Sequence, residues 1–154
     1  MTQIYEKVAL IGLGLIAGSM GLAMKRAGLA GHVSGSARTA ETRAAALELG
    51  LVDTVHETAA EAVADADLVV LCVPVGVMGV VAAEIAPHLK PGATVSDVGL
   101  VKARVIEMVG AHLPDTVHFI PAHPIAGTEN SGPNSGFAEL FERKWCILTP
   151  LAGT

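Results

Sequence analysis

Residues able to do acid–base chemistry are concentrated in one short stretch, PAHPIAGTENSG, which runs from Pro121 to Gly132. His123 lies between two prolines, and Thr128 and Glu129 follow within a few positions. An imidazole titrates near neutral pH, so His123 suits general-base work. The alternative is a loop histidine that makes only a structural hydrogen bond. The pattern is typical of neither a helix nor a strand, and we expect a loop stiffened by its prolines.

A second group of residues could hold phosphate. The sequence from Gly12 to Ala17 has the form G-x-G-x-x-A, directly after an apolar run and at the start of an apolar helical segment. The first glycine permits a tight turn, the second lets a pyrophosphate approach the backbone, and the alanine allows close helix–strand packing. The helix N-terminus adds free N–H groups and partial positive charge. The alternative is a packing turn without a ligand. The predicted dinucleotide-binding residues here are Gly12, Gly14, Leu15, Ile16 and Ala17.

The end of the second predicted strand bears on which dinucleotide binds. Enzymes that use NAD usually place an acid there for the ribose 2′-hydroxyl. This chain has Ser36, Ala37, Arg38 and Thr39 and no acid. Arg38 could fork onto a 2′-phosphate, which an acid would repel. We therefore expect NADP in preference to NAD, the alternative being that Arg38 points into solvent.

A third stretch, Cys72-Val73-Pro74, ends the most apolar strand of the sequence. Ligands in open α/β sheets bind beyond the carboxyl ends of the strands. We therefore predict that these three residues lie beneath the cofactor. Pro74 as a plain strand terminator is the competing interpretation.

The segments that position these residues alternate between strand-like and helix-like patterns. This order predicts a doubly wound α/β fold of the Rossmann type, with a mostly parallel sheet and helices on both faces. The predicted strands are Lys7–Gly12, His32–Gly35, Leu51–Val55, Asp67–Val73, Ala93–Ser96, Thr116–Ile120 and Trp145–Thr149. The predicted helices are Leu15–Ala27, Ala40–Leu49, Thr58–Ala64, Val75–Leu89, Leu100–Gly110 and Gly136–Phe141.

The composition narrows the class of protein. The chain has 154 residues, of which 51% are hydrophobic and 16% charged, which fits one folded domain over residues 1–154. The net charge of -5 and the lack of a basic stripe argue against nucleic-acid binding. Cys72 and Cys146 lack metal-ligand spacing, so we expect buried free thiols, no metal site and a reducing cytoplasm. Two runs carry no charged residue, Val8–Met24 and Leu68–Ala83. Both are shorter than the ~18 residues of a membrane span, and we expect no targeting segment.

Together these motifs resemble one known family. The chain is similar to the nucleotide-binding domain of prephenate and arogenate dehydrogenases, the cyclohexadienyl dehydrogenases of tyrosine biosynthesis. The resemblance spans nearly the whole chain in the family's order, and HPIAGTE is its most specific part. The matching pieces are VALIGLGLIAGS (8–19), LCVPV (71–75), SDVGLVK (96–102), HPIAGTENSG (123–132) and LF…ILTP (140–150).

The resemblance implies an activity and roles for the site residues. The substrate would be a cyclohexadienol with a ring hydroxyl and a quaternary carboxylate, and NADP or NAD would accept its hydride. Loss of CO2 would then aromatise the ring. His123 matches the family's catalytic histidine, which takes the hydroxyl proton, while Thr128 and Glu129 match positions on the substrate side. Another Rossmann dehydrogenase, acting on a small hydroxy acid or imine, and a non-catalytic nucleotide-binding module are the alternatives.

Two departures from the family pattern bear on activity. Leu100 occupies the position where the family usually has a serine that helps to orient the substrate hydroxyl and the histidine. Leucine cannot form hydrogen bonds, so we expect reduced turnover or a shifted substrate. Family members also continue into a helical domain that forms a homodimer and completes the substrate pocket, and we expect residues 1–154 to lack that domain.

Overall fold

A computed structural model describes residues 2–154 and places six strands in one parallel sheet. The strand order across the sheet is β3-β2-β1-β4-β5-β6. The strands of this sheet are β1 (Tyr5–Ile11), β2 (Ala30–Ser36), β3 (Thr54–His56), β4 (Leu68–Leu71), β5 (Thr94–Asp97) and β6 (His118–Ile120). A separate antiparallel pair joins β7 (Ala122–Pro124) to β8 (Cys146–Leu148).

Five α-helices connect the strands. They are α1 (Leu15–Ala27), α2 (Ala40–Glu48), α3 (Ala59–Ala62), α4 (Val75–Ile85) and α5 (Lys102–Gly110). Short 3-10 turns cover Ala86–His88 and Pro133–Ser135. Among the helices formed by residues 2–154, none has the length and apolarity that a membrane span requires.

The helices cover both faces of the sheet, as the alternation of side chains along β1 shows. Val8 and Leu10 belong to a core cluster that includes Ala17 of α1 and Ala46 of α2. Ala9 and Ile11 belong to a second cluster, whose helical members include Ala62 of α3, Met78 of α4 and Val105 of α5. Successive residues of a strand point to opposite faces, so the two clusters lie on opposite sides of the sheet. The predicted doubly wound fold is therefore confirmed.

Helix α1 forms over the predicted residues. Its last turn carries Lys25 and Arg26, and Gly28 follows with φ of 66° in the left-handed region. Cations at a helix C-terminus and a glycine just beyond it are favoured by the helix dipole and the C-cap geometry.

The structure differs from the sequence prediction in three places. Leu51 and Val52 are buried against the α1–α2 side of the sheet, and the third strand begins only at Thr54. The predicted helix over residues 136–141 is wrong, since residues 138–143 form turns. The N–H of Phe137 donates to the hydroxyl of Ser19, 3.1 Å away, and ties this segment to α1. His123, expected in a loop, lies in β7 opposite Ile147.

Candidate functional site

A cleft of about 680 Å³ opens at the carboxyl edge of the parallel sheet. Residues that follow β1, β2 and β4 line it. The chain passes from β1 to β2 in one direction along the sheet, whereas β4 lies on the other side of β1. Such a reversal of strand order leaves a crevice between the flanking loops, and nucleotides bind there in open α/β sheets.

The glycine turn after β1 has the shape that a pyrophosphate needs. Gly12 has φ of 91°, and a Cβ atom on it would lie 2.9 Å from the Cys72 carbonyl oxygen. Nothing lies within 4 Å of a Cβ atom built on Gly14, which is the N-cap of α1 and offers no side-chain cap. The first N–H groups of α1 therefore face open space, where an anion can accept hydrogen bonds from them.

The turn after β2 is held in place by a second arginine. Nη1 of Arg43 donates to the carbonyl oxygens of Ala37 at 2.7 Å and Arg38 at 3.0 Å. Ser36 is buried, and Arg38 is exposed at the mouth of the cleft. The fixed turn therefore presents a buried hydroxyl and a free guanidinium at the same end of the cleft.

Eight of the twelve predicted cofactor residues line the cleft: Gly12, Gly14, Ser36, Ala37, Arg38, Cys72, Val73 and Pro74. The other four lie beside it. Leu15 and Ile16 start α1, and Ala17 is fully buried in the packing of that helix. The hydroxyl of Thr39 accepts the N–H of Thr42 at 3.2 Å and so caps α2.

The structure adds lining residues that the sequence reasoning did not name. Glu57, Thr58 and Ala59 come from the loop after β3 and the start of α3. The sequence predicts a helix there but gives no signal that these residues line the cleft. Val77, Val80, Val81 and Glu84 form one stripe of α4. Their spacing is that of one helix face, and this periodicity is a signal that could have identified them. The Glu84 carboxylate also accepts the N–H of Ala60 at 3.3 Å.

Cys72 forms part of the cleft floor as a protonated thiol. Burial raises the pKa of this thiol to about 12, and the negative charge of Asp97 adds to the effect. Only the thiolate is a strong nucleophile, so Cys72 contributes shape and not reactivity at neutral pH. Both Cys72 and Cys146 are free thiols, but the expected burial is wrong for Cys146, which is exposed at the start of β8.

His123 lies at the same edge of the sheet, in a strand held on two sides. β7 follows β6 directly, and within it His123 pairs with Ile147 of β8. The pair is closed by the N–H of Ile125, which donates to the Trp145 carbonyl at 2.8 Å. The His123 side chain is half-buried, and no hydrogen bond found within residues 2–154 involves its ring. Its nitrogens can therefore meet a ligand.

The backbone just before His123 is bound by two charged side chains. The Asp97 carboxylate, fully buried at the end of β5, accepts the N–H of Ala122 at 3.1 Å and the N–H of Gly99 at 2.8 Å. Nζ of Lys102 pairs with Asp97 and donates to the Ala122 carbonyl at 2.6 Å. Both peptide groups of Ala122 are therefore fixed by the SDVGLVK segment.

The other residues predicted for the substrate side are exposed. Leu100 is 73% exposed and lies two residues before α5, while Thr128 and Glu129 lie on the surface of the segment after β7. The hydroxyl of Thr128 accepts the N–H of Asn130 at 3.2 Å and so stabilises a local turn. Thr128 and Glu129 therefore follow His123 closely in the chain, but within residues 2–154 no hydrogen bond joins either side chain to its ring.

Metal binding has no structural basis in the part of the chain that the structure describes. No group of three or more His, Cys, Asp or Glu residues could hold an ion there.

Comparison with known proteins agrees with this geometry. The family model of the prephenate dehydrogenase nucleotide-binding domain matches residues 20–154. Cyclohexadienyl dehydrogenase from Zymomonas mobilis is 45% identical over 151 residues, which cover 98% of this chain and 51% of that enzyme. The chain spans about half the length of this relative.

Solved structures show the same likeness. Prephenate dehydrogenase from A. aeolicus, in complex with hydroxyphenyl propionate and NAD+, superposes with a TM-score of 0.82 at 29% identity, covering 100% of this chain and 52% of that one. Synechocystis arogenate dehydrogenase superposes with a TM-score of 0.82 at 29% identity, covering 95% and 50%. By its sequence, its sheet order and its glycine turn, the chain belongs to the family of prephenate dehydrogenase nucleotide-binding domains.

Proposed function

We propose that this chain is the nucleotide-binding part of an NAD(P)-dependent dehydrogenase that oxidises and decarboxylates prephenate, arogenate or both in tyrosine biosynthesis. The observation that carries the proposal is the placement of His123 at the carboxyl edge that also holds the dinucleotide cleft. The names of the relatives support the substrate class. Another Rossmann dehydrogenase of small hydroxy acids is less well supported, because the neighbour named 3-hydroxyisobutyrate dehydrogenase has a TM-score of only 0.62.

The residues of the chain divide the work of the reaction. A bound nicotinamide supplies the hydride acceptor. The turn at Gly12 and Gly14 binds the pyrophosphate through backbone N–H groups, and Ser36 and Arg38 bind the adenosine ribose. His123 accepts the proton of the substrate hydroxyl at a ring nitrogen, while the hydride leaves the carbon that bears this hydroxyl. Thr128 and Glu129 contact the substrate from the segment that follows.

We further propose that NADP is preferred to NAD. Arg38 offers a planar donor pair that matches a phosphate, and the Arg43 hydrogen bonds keep its backbone in place. The Glu57 and Glu84 carboxylates line the same cleft and oppose an extra phosphate. Glu84 is partly engaged with Ala60, whereas Arg38 lies in the turn directly after β2, where the 2′ position is bound in this fold.

Calorimetric titration with NADP+ and NAD+ tests the proposal on the chain as it is. We expect NADP+ to bind at least about tenfold more tightly, ~1.4 kcal/mol. Arg38→Ala should remove that difference and leave NAD+ affinity unchanged. Arg104→Ala, which removes an exposed arginine of α5 paired with Glu107, is the matched control and should change neither affinity.

Two other results would each reject part of the proposal. If NAD+ bound more tightly, the role of Arg38 would be wrong and the dehydrogenase assignment would stand. If neither nucleotide bound at millimolar concentration, the chain would not be a working nucleotide-binding domain by itself.

We also propose that residues 1–154 form one dinucleotide-binding domain, and that a helical domain of the full-length enzyme covers the β7–β8 surface and forms a homodimer. Trp145 is 82% exposed, and Ile147 and Leu148 are also exposed. Contiguous exposed apolar side chains are typical of an interface. A fusion that adds the unmatched part of the Zymomonas mobilis enzyme should sediment as a dimer. In that dimer the Trp145 side chain should be shielded from solvent. A monomer with Trp145 still exposed would reject this arrangement.

A cytoplasmic location completes the proposal. The two free thiols support it, since oxidising compartments favour disulfides.

A further inference from the structure

We propose that Asp97 and Lys102 are positioning residues, which fix the peptide groups of Ala122 and thereby set the position of His123 at the carboxyl edge of the sheet. The inference rests on the proposed role of His123 as the base. It assigns a function to Asp97 and Lys102, the two ends of the DVGLVK segment, which are not among the residues proposed to bind the dinucleotide.

The first argument is the completeness of the contacts at Ala122. Its N–H donates to Oδ1 of Asp97 at 3.1 Å, and its carbonyl accepts from Nζ of Lys102 at 2.6 Å. Ala122 is the first residue of β7, so β8 bonds the strand from one side while the two side chains hold its start. Since His123 is the next residue, its Cα position and the direction of its side chain are fixed by these bonds.

The second argument is burial. The Asp97 side chain is fully buried, and that of Lys102 is only 17% exposed. A buried ion pair is held in one geometry by the low dielectric around it, and removing one partner leaves an uncompensated charge. The ion pairs of this chain with more exposed partners, such as Lys90 with Asp67, lie where water can screen them.

The third argument is the connection to the cleft. Asp97 is the last residue of β5, and its charge acts on the thiol of Cys72 in the cleft floor. A Cβ atom on Gly99 would lie 3.0 Å from Val75, the first residue of α4, so the segment between Asp97 and Lys102 packs directly against the helix that lines the cleft. The group that orients His123 is thus rigidly joined to the nucleotide site.

The experiment compares Lys102→Met with Lys90→Met as its matched control. Both replace a lysine of an ion pair by an apolar chain of similar length, but Lys90 pairs with Asp67, just before β4 at the amino edge of the sheet. Amide hydrogen exchange, the NMR signals of the His123 ring and NADP+ affinity are measured on the chain. Turnover is measured in the fusion with the unmatched part of the Zymomonas mobilis enzyme.

We expect Lys102→Met to lower the exchange protection of β7 at least about tenfold, to shift or broaden the His123 ring signals, and to lower kcat at least about tenfold. NADP+ affinity should change less than about twofold. The control should leave the His123 signals and kcat unchanged.

Unchanged β7 protection and His123 signals in Lys102→Met would overturn the proposal, whatever happens to turnover. If this variant does not fold, Asp97→Asn combined with Lys102→Met removes both charges and leaves no unpaired one. The double variant should show the same loss of order at His123, and an unaltered ring signal there would be equally decisive against the inference.

The same data separate this inference from the proposed function. His123→Asn in the fusion should abolish turnover if His123 is the base. If turnover survived His123→Asn while Lys102→Met still loosened β7, the role of His123 would be wrong and the positioning of its backbone would stand.

Discussion

At the scale of single residues, the site combines groups that meet a ligand with groups that only hold them. Arg38 lines the cleft and His123 lies at the same carboxyl edge of the sheet, and the side chains of both can meet a ligand. Asp97, Lys102 and Arg43 instead form hydrogen bonds with backbone groups nearby. A short sequence motif is enough to identify the residues that meet a ligand. The second kind becomes visible only when distant segments are brought together, because Ala122 and Asp97 are 25 residues apart.

Leu100 is a residue whose replacement separates activity from stability. Its side chain is 73% exposed, so Leu100→Ser removes little buried surface and should leave the midpoint of thermal unfolding within about 2 °C. If position 100 orients the substrate hydroxyl and the histidine, as the family resemblance implies, a hydroxyl there should raise kcat in the fusion with the Zymomonas mobilis segment. Leu100→Ala is the matched control, since it shortens the side chain without adding a donor. Equal gains from both variants would refute an orienting role.

At the scale of elements, α1 depends on small residues to approach the sheet. A Cβ atom on Gly21 would lie 2.0 Å from the Leu51 carbonyl oxygen, and one on Gly18 would lie 3.0 Å from Cδ1 of Leu51. The glycine turn lies at the start of the same helix. The distance between α1 and the sheet therefore determines where the first N–H groups of α1 point.

Gly21→Ala should therefore destabilise the chain strongly, by about 2 kcal/mol or more, since a backbone oxygen cannot move as a flexible side chain can. Gly76→Ala is the matched control. Gly76 lies in α4 with nothing within 4 Å of a Cβ atom, and alanine there should be neutral or stabilise by about 0.5–1 kcal/mol. Chemical denaturation measures both. A Gly21→Ala chain as stable as the native one would show that α1 can shift outward.

The sequence predicts these elements unequally. Helix α1 is predicted over its observed residues because an apolar run, two terminal cations and Gly28 all agree. The glycine turn is predicted for the same reason. β7 and β8 are not predicted as partners, because three-residue strands carry no periodicity and their pairing joins segments more than 20 residues apart. Residues 136–141 have an apolar pattern that suggests a helix. A Cβ atom on Gly136 would lie only 3.1 Å from the backbone of Gly18 and Ser19, and the local sequence carries no signal of this close approach to α1.

At the scale of the whole molecule, the two edges of the sheet have different tasks. The carboxyl edge holds the cleft and His123. The amino edge is fastened by Asp67, whose Oδ2 accepts the N–H groups of Glu6 at 2.8 Å and Lys7 at 3.0 Å while Oδ1 pairs with Lys90. Asp67 therefore joins the starts of β1, β4 and β5.

Asp67→Asn should lower the free energy of unfolding by up to about 1 kcal/mol, since water screens the pair with Lys90. It should leave NADP+ affinity unchanged, because the change lies at the edge away from the cleft. The hydrogen bond with Lys90, followed by that from the N–H of Lys7, lowers the pKa of Asp67. A lowered folded-state pKa stabilises the fold above the unfolded value of about 3.9, and this stabilisation is lost as pH falls through the folded-state value.

The difference between the unfolding free energies of the native chain and the variant should therefore be largest near pH 7 and decrease below about pH 4. Urea denaturation at several pH values measures it. A difference that stayed constant down to pH 2 would mean that the charge of Asp67 does not contribute.

The segment between β7 and β8 leaves and re-enters the fold at one point, since the N–H of Ile125 meets the carbonyl of Trp145. Ser19 and Arg26 of α1 hold its far side, the latter through ion pairs with Glu139 and Glu142 at 2.6 and 2.8 Å. The entropic cost of such a closed excursion grows only with the logarithm of its length, about 0.6 kcal/mol for each doubling. Insertions or deletions around Glu129 therefore cost the fold little, and evolution can reshape the surface of this segment without altering the dinucleotide cleft.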